Sequence, residues 1–308
     1  MRAITYSRYG GPDVLELTDD LPTPKVDPDS VLVRVRAASV NPVDWKVRAG
    51  YLDPIMDVTF PAVPGWDVAG VVERVGLDTP ELSVGDEVYG YVRRDWVQGG
   101  TFAEYVAAPV RTLARKPANL SFEEAAAVPL AGLTAYQAIR RTGVSAGQTV
   151  LVHAAAGGVG AFAVQIATGL GARVIGTASE RNHEHLRGLG AEPVTYGDGL
   201  VERVRALAPD GVDVVLDYVG GDALDSVPDV LRPGGTVASI TDARARDELG
   251  GHYVWVRPDS ADLAELARLG DAGELRPEVA EVFDLADAAK AHELSASGHV
   301  RGKVVVRV

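Results

Sequence analysis

The chain has 308 residues, 46% of them hydrophobic, enough to fill one large or two ordinary globular cores, and its glycines and prolines are scattered rather than gathered into a repeat. A formal charge of −13 argues against a nucleic-acid backbone or an anionic membrane surface as the main partner, since both attract basic patches. The absence of cysteine removes disulfides, thiolate nucleophiles and cysteine-ligated zinc together.

At the start, Met1–Gly10 has no apolar run of the kind a secretory signal needs, so the reading is a cytoplasmic one. Up to about residue 115 the chain is β-rich. Val31, Val33, Val35 and Ala37 alternate with Leu32, Arg34 and Arg36, and Val68–Val75, Glu87–Tyr91 and Phe102–Val106 read as further strands. Ser121, followed three residues on by Glu124, is a capping box that opens a helix ahead of Ala125–Ala127. From Thr149 strands and helix-length segments alternate, with strands at Thr149–His153, Arg173–Thr177, Pro193–Tyr196, Val212–Leu216, Thr236–Ile240 and Tyr253–Val256. This alternation predicts a parallel, doubly wound sheet. The apolar stretch Val150–Ala172 is long enough to span a bilayer, but Gly157, Gly158 and Gly160 divide it into a buried strand and a buried helix. Ala261–Leu269 and Ala286–Leu294 read as helices and Lys303–Val308 as a strand, and the end of the chain is expected to rejoin the N-terminal domain, leaving a cleft between the two.

The sharpest motif follows the strand at Thr149. Ala154, Ala155, Ala156, Gly157, Gly158, Val159 and Gly160 join it to an apolar helix. A pyrophosphate needs backbone amides at a helix N-terminus with no side chain in the way, so dinucleotide binding is predicted here. The next strand ends in Gly176, Thr177, Ala178 and Ser179, without the acidic residue that would bond the ribose hydroxyls of NAD. Ser179 leaves room for a 2′-phosphate and Arg181 can pair with it, which favours NADPH; Glu180 would invert the preference if it faced the ribose. Val219 and Ile240, at the ends of later strands, are expected beside the nicotinamide. Two readings stay open for Asp217, contact with that half of the cofactor or a cap on the following turn.

Several segments together resemble the quinone oxidoreductase and enone reductase branch of the zinc-independent medium-chain dehydrogenases/reductases: Asn41-Pro42-Val43-Asp44-Trp45-Lys46, Pro64–Gly70, Val84–Gly90, Ala131–Ala135, the glycine motif and Arg301-Gly302-Lys303. The resemblance implies an α/β protein with a GroES-like β-rich catalytic domain, 1–118 and 271–308, and a Rossmann domain, 119–270. It implies cofactor contacts from Thr134, Ala156, Gly157, Gly158, Val159, Gly160, Ser179, Arg181, Tyr196, Val219, Ile240 and Lys303. Lys46, Asn41 and Asp44 would act on the substrate, with Tyr51, Trp66 and Trp96 as walls of its pocket. Each has a plainer reading: Asn41-Pro42 starts a turn, Asp44 caps a helix, Trp66 belongs to the core. No metal is expected, because Gly65-Trp66-Asp67 stands where zinc-dependent relatives carry Gly-His-Glu, and His183 and His185, two apart on a helix, diverge.

The function expected is NADPH-dependent reduction of a quinone or an α,β-unsaturated carbonyl by a homodimer paired through Tyr253–Val256. Two rivals stand beside it: a zinc-free dehydrogenase interconverting alcohol and carbonyl, and an NADPH-binding structural or sensor protein with little turnover.

Overall fold

Alternating β-branched side chains turn Ser30–Val40 into the longest strand of the molecule, and the sheet around it is built on that strand. In the computed structural model, which describes all residues from Met1 to Val308, the first part of the chain forms β1 (Ala3–Thr5), β2 (Glu16–Thr18), β3 (Ser30–Val40), α1 (Pro42–Arg48), β4 (Asp67–Val75), β5 (Glu87–Tyr91), β6 (Tyr105–Pro109), β7 (Leu113–Arg115), α2 (Phe122–Ala126) and α3 (Pro129–Thr142). The capping box expected at Ser121 opens α2: Glu124 N donates to Ser121 Oγ at 3.2 Å and Ser121 N to the Glu124 carboxylate at 2.8 Å.

The middle of the chain continues with β8 (Thr149–Val152), α4 (Gly160–Gly169), β9 (Arg173–Thr177), α5 (His183–Gly188), β10 (Ala191–Val194), α6 (Leu200–Leu207), β11 (Val212–Asp217), α7 (Asp222–Asp225), α8 (Val227–Val230), β12 (Leu231–Ser239), α9 (Arg244–Asp247) and β13 (His252–Tyr253). Its six strands are all parallel in the order β10-β9-β8-β11-β12-β13, the doubly wound order expected. Leu151, Ile175, Val215 and Val237 carry one face of this sheet into a core with Leu200, Val204, Val227 and Val230. The last strand stops at Tyr253 instead of running to Val256. Beyond it the backbone bonds to α3: Gln137 takes both the amide and the carbonyl of Arg257 at 3.0 Å, and Arg141 takes the Tyr253 carbonyl at 3.3 Å.

The chain ends with α10 (Ser260–Asp271), β14 (Val279–Asp284), α11 (Ala288–Ala296) and β15 (Lys303–Arg307). β14 and β15 complete the first sheet, whose order is β14-β15-β3-β4-β5-β7 with β6 also paired to β3; β1 and β2 pair separately. Two units result, Met1–Leu133 with Pro258–Val308, and Thr134–Arg257. These boundaries differ from 118/119 and 270/271. Helix α10 belongs to the first unit because Tyr89 Oη donates to Leu263 O at 2.6 Å, and Asn119 and Ala118 bond to Gly270 and Asp271 at 2.8 and 2.7 Å. Such long-range bonds leave no trace in periodicity. No helix is long and apolar enough to cross a membrane; the stretch Val150–Ala172 is β8, the glycine turn and α4.

Candidate functional site

In the second unit the turn between β8 and α4 is made possible by two missing Cβ atoms. A Cβ on Gly160 would lie 2.2 Å from Ala154 O and 2.7 Å from Ala155 Cα, and one on Gly176 would lie 2.9 Å from Ala155 Cβ. With glycine at both places the turn nests against the end of β9, and Ala154 takes a left-handed φ of 53°, the one non-glycine residue to do so. Helix α4 starts at Gly160 with no side-chain cap and no acidic residue in its first turn. The positive dipole end of α4 thus lies beneath the turn with no side chain over it, while within the turn the Gly157 amide is already taken by Ala154 O at 2.9 Å.

At the neighbouring strand ends Thr177 and Val194 are register partners and Ala178 N donates to Val194 O at 3.0 Å. Ser179 and Tyr196, each two residues further on, therefore emerge at the same end of the sheet. Ser179 is half-buried, whereas Arg181 and Tyr196 are exposed, and Glu180 is exposed between them. The sequence reading missed Arg203, whose guanidinium holds the Tyr196 loop by donating to Thr195 O at 2.9 Å and Gly197 O at 3.2 Å. On the other side of β8, Asp217 is a cap, the second of its two readings: its carboxylate accepts from Val219 N at 3.0 Å and Gly220 N at 2.9 Å. Val219 is thus held outward, exposed, with Ile240 half-buried after the next strand, and Thr134 is buried in α3.

In the first unit the segment Asn41–Lys46 is a helix start. Asn41 is the N-cap of α1 with Pro42 in the first turn, and its amide donates to the Asp44 carboxylate at 2.7 Å. Both side chains are buried, at 1% and 4% exposure, so the cap reading describes where they lie better than a substrate-facing one. Behind them stands Asp67, wholly buried, which accepts from Ser39 Oγ, Asn41 Nδ2 and Leu130 N, each at 2.8 Å. Lys303 closes the cluster. Its ammonium donates to Asn41 Oδ1 and to Val40 O and lies 3.9 Å from Asp67, inside the unit rather than on a surface open to a cofactor. Burial pushes the Asp44 carboxyl up to about 7, raises Asp67 and lowers Lys303, since a dry interior disfavours each charge.

Lys46 is different. It is half-buried on α1, its ammonium lying 5.5 Å from the centroid of the Trp45 ring, with Trp45 packed edge-on against Tyr51. Tyr51 and Trp96 are exposed, the latter under the Arg94 guanidinium at 5.9 Å. Trp66 is buried edge-on to Tyr91, a core residue as its plainer reading had it. No group of three or more histidine, aspartate or glutamate side chains is gathered as a metal site.

A six-stranded parallel sheet of this order, with a glycine turn beneath an open helix N-terminus, defines a dinucleotide-binding class of protein. Residues 27–118 match the family model of the alcohol dehydrogenase GroES-like domain and residues 189–306 that of the zinc-binding dehydrogenases. The chain is 38% identical, over 99% of its length and 79% of the relative's, to an NADPH-dependent alkenal/one oxidoreductase of Arabidopsis thaliana chloroplasts. Among solved structures it is similar to the quinone oxidoreductase of Coxiella burnetii, at a TM-score of 0.89 and 37% identity over 100% of this chain and 99% of that one. It is also similar to a mycobacterial protein complexed with NADPH, at a TM-score of 0.87 and 31% identity over 100% of both chains. The chain belongs to the medium-chain dehydrogenase/reductase superfamily of oxidoreductases, in its quinone oxidoreductase branch.

Proposed function

We propose that this chain is an NADPH-dependent, zinc-independent reductase of quinones or α,β-unsaturated carbonyls. The observation that carries the reading is the glycine turn beneath the uncapped N-terminus of α4, followed by a second strand whose end, Gly176–Ser179, bears no acid. Its relatives' use of NADPH and of alkenals or quinones points the same way.

In this reading Ser179, Arg181 and Tyr196 bind the adenosine phosphate, and Ala156–Gly160 bind the pyrophosphate. Thr134, Val219 and Ile240 line the nicotinamide, which when bound supplies a hydride. Hydride arriving at the β-carbon of an enone pushes negative charge onto the carbonyl oxygen, and Lys46 offers that oxygen an ammonium that no carboxylate has taken. Asn41 and Asp44 hold the first turn of the helix that carries Lys46, and Lys303 acts through Asn41. Tyr51 and Trp96 form apolar walls. Zinc independence is supported by the lack of cysteine and by Asp67, whose two oxygens are engaged by Ser39, Asn41 and Leu130. The protein is further read as a cytoplasmic homodimer paired through β13, the edge strand of its sheet.

The test is a panel of quinones, alkenals, enones and simple alcohols assayed with both nicotinamide cofactors, with and without chelator. The expected result is oxidation of NADPH, faster than of NADH, by enones or quinones and indifferent to chelation. Activity confined to alcohols, or abolished by chelation, would contradict the assignment; binding without turnover of anything would favour the sensor alternative.

A further inference from the structure

Four buried polar side chains stand side by side across the middle of the parallel sheet. Val152 on β8 is in register with Gly176 on β9 and with Leu216 on β11, and Asp217 is in register with Ser239 on β12. The next residue along β9, β8 and β11, together with Ser239, therefore makes a single row: Thr177, His153, Asp217, Ser239. None is more than 2% exposed. Polar atoms at that depth are costly unless each has work to do, and three of the four side chains bond directly to a loop that leaves the sheet.

Thr177 Oγ1 accepts from Ala154 N at 3.1 Å while its carbonyl accepts from Ala155 N at 3.0 Å, so one residue fixes both amides of the turn whose Ala154 is left-handed. Asp217 fixes Val219 and Gly220 in the loop after β11. Ser239 Oγ accepts from Thr241 N at 3.2 Å and Asp242 N at 3.1 Å in the loop after β12. Within the row, Ser239 Oγ donates to Asp217 Oδ2 at 2.6 Å and Thr177 Oγ1 lies 3.4 Å from His153 Nδ1. A hydroxyl oxygen has two lone pairs, so Thr177 Oγ1 can accept from Ala154 N and still pair with Nδ1 in either direction. Nε2 has no partner. Burial pushes the imidazole down to about 4, with the Asp217 charge opposing, so the ring sits neutral between Thr177 and Asp217 in the row.

We propose that Thr177, His153, Asp217 and Ser239 form one positioning element that sets the three loops at the carboxyl end of this sheet to a common height for the cofactor. None of the four is a cofactor contact in the reading given above. The inference rests on that reading, since it assigns the three loops to a dinucleotide.

The experiment measures NADPH affinity, by nicotinamide fluorescence, together with thermal stability, for the full-length wild-type chain, Thr177→Val, Ser239→Ala, the double variant and Thr177→Ser. Thr177→Val keeps the shape and deletes the hydroxyl that bonds Ala154 N; Thr177→Ser restores it. The expected result is that each deletion weakens NADPH about 10-fold, that Thr177→Ser binds as wild type, and that the double variant falls well short of the about 100-fold loss of two independent sites. Lowered melting temperatures with unchanged affinity would make the row merely structural, and multiplicative losses would make it separate braces; either overturns the proposal. A wild-type chain that binds neither nicotinamide cofactor would overturn the functional reading itself, and this role with it.

Discussion

Lys46 and His292 illustrate how differently two titratable side chains are used. Lys46 keeps its ammonium over an aromatic face, so its replacement removes a cation without breaking an ion pair. Lys46→Met is expected to lower kcat for an enone by about 10- to 1,000-fold, the range for loss of an oxyanion donor, with NADPH affinity little changed. Steady-state kinetics beside a binding titration check this; wild-type turnover, or a defect confined to NADPH binding, would remove Lys46 from the chemistry. His292, on α11, is wholly buried, with Nδ1 facing Arg48 Nη1 at 3.2 Å. Burial, reinforced by the Arg48 charge, pushes it down from 6.5 to about 3. The folded chain thus refuses a proton that the unfolded chain takes up near its ordinary value. Stability is fully present above that value and falls as pH drops towards the folded one, at about 1.4 kcal/mol per pH unit while the two states differ by one proton. The urea midpoint of wild type should therefore fall more steeply from about pH 7 to about pH 5 than that of His292→Gln, whose amide can still accept from Arg48; parallel slopes would contradict the assignment. At this scale local spacing was legible and distant partners were not. Asn41 and Asp44 announce a helix cap three residues apart, whereas Asp67 binds partners 26, 28 and 63 positions away and could be read only as part of a motif.

Among the elements, the β8 turn and α4 are where sequence and structure agree most closely, because a glycine turn between an apolar strand and an apolar helix constrains the backbone itself. Gly160→Ala places a methyl group 2.2 Å from the Ala154 carbonyl, which the turn cannot absorb without moving. NADPH affinity, read by fluorescence, is expected to fall at least about 10-fold while the variant still unfolds cooperatively. Unchanged affinity would show that the turn does not hold the cofactor. Other elements were hidden for identifiable reasons. β14 has exposed residues on both faces and lies at a sheet edge, so Val279–Asp284 shows no clean alternation. β1 and β2 are three residues each, too short for any period to register. The periodicity of α10 reads as a helix, but its place in the first unit depends on bonds to Tyr89, Ala118 and Asn119 that no local pattern encodes.

For the molecule as a whole, two claims can be checked in solution. β13 is a two-residue edge strand followed in the chain by Val254, Trp255 and Val256, the last two half-buried, and pairing of two such edges predicts a mass by light scattering of roughly twice 32.4 kDa. A monomer at micromolar concentration would count against the dimer and leave the chemistry untouched. The chemistry has a more direct test, because it states where one hydrogen goes. With NADPH deuterated at its transferring carbon and an open-chain enone as substrate, mass spectrometry of the product should find the saturated ketone carrying deuterium on the carbon that was β to the carbonyl. Deuterium on a carbinol carbon with the double bond intact, or NADPH consumed without transfer of deuterium to the product, would contradict a reductase of activated double bonds.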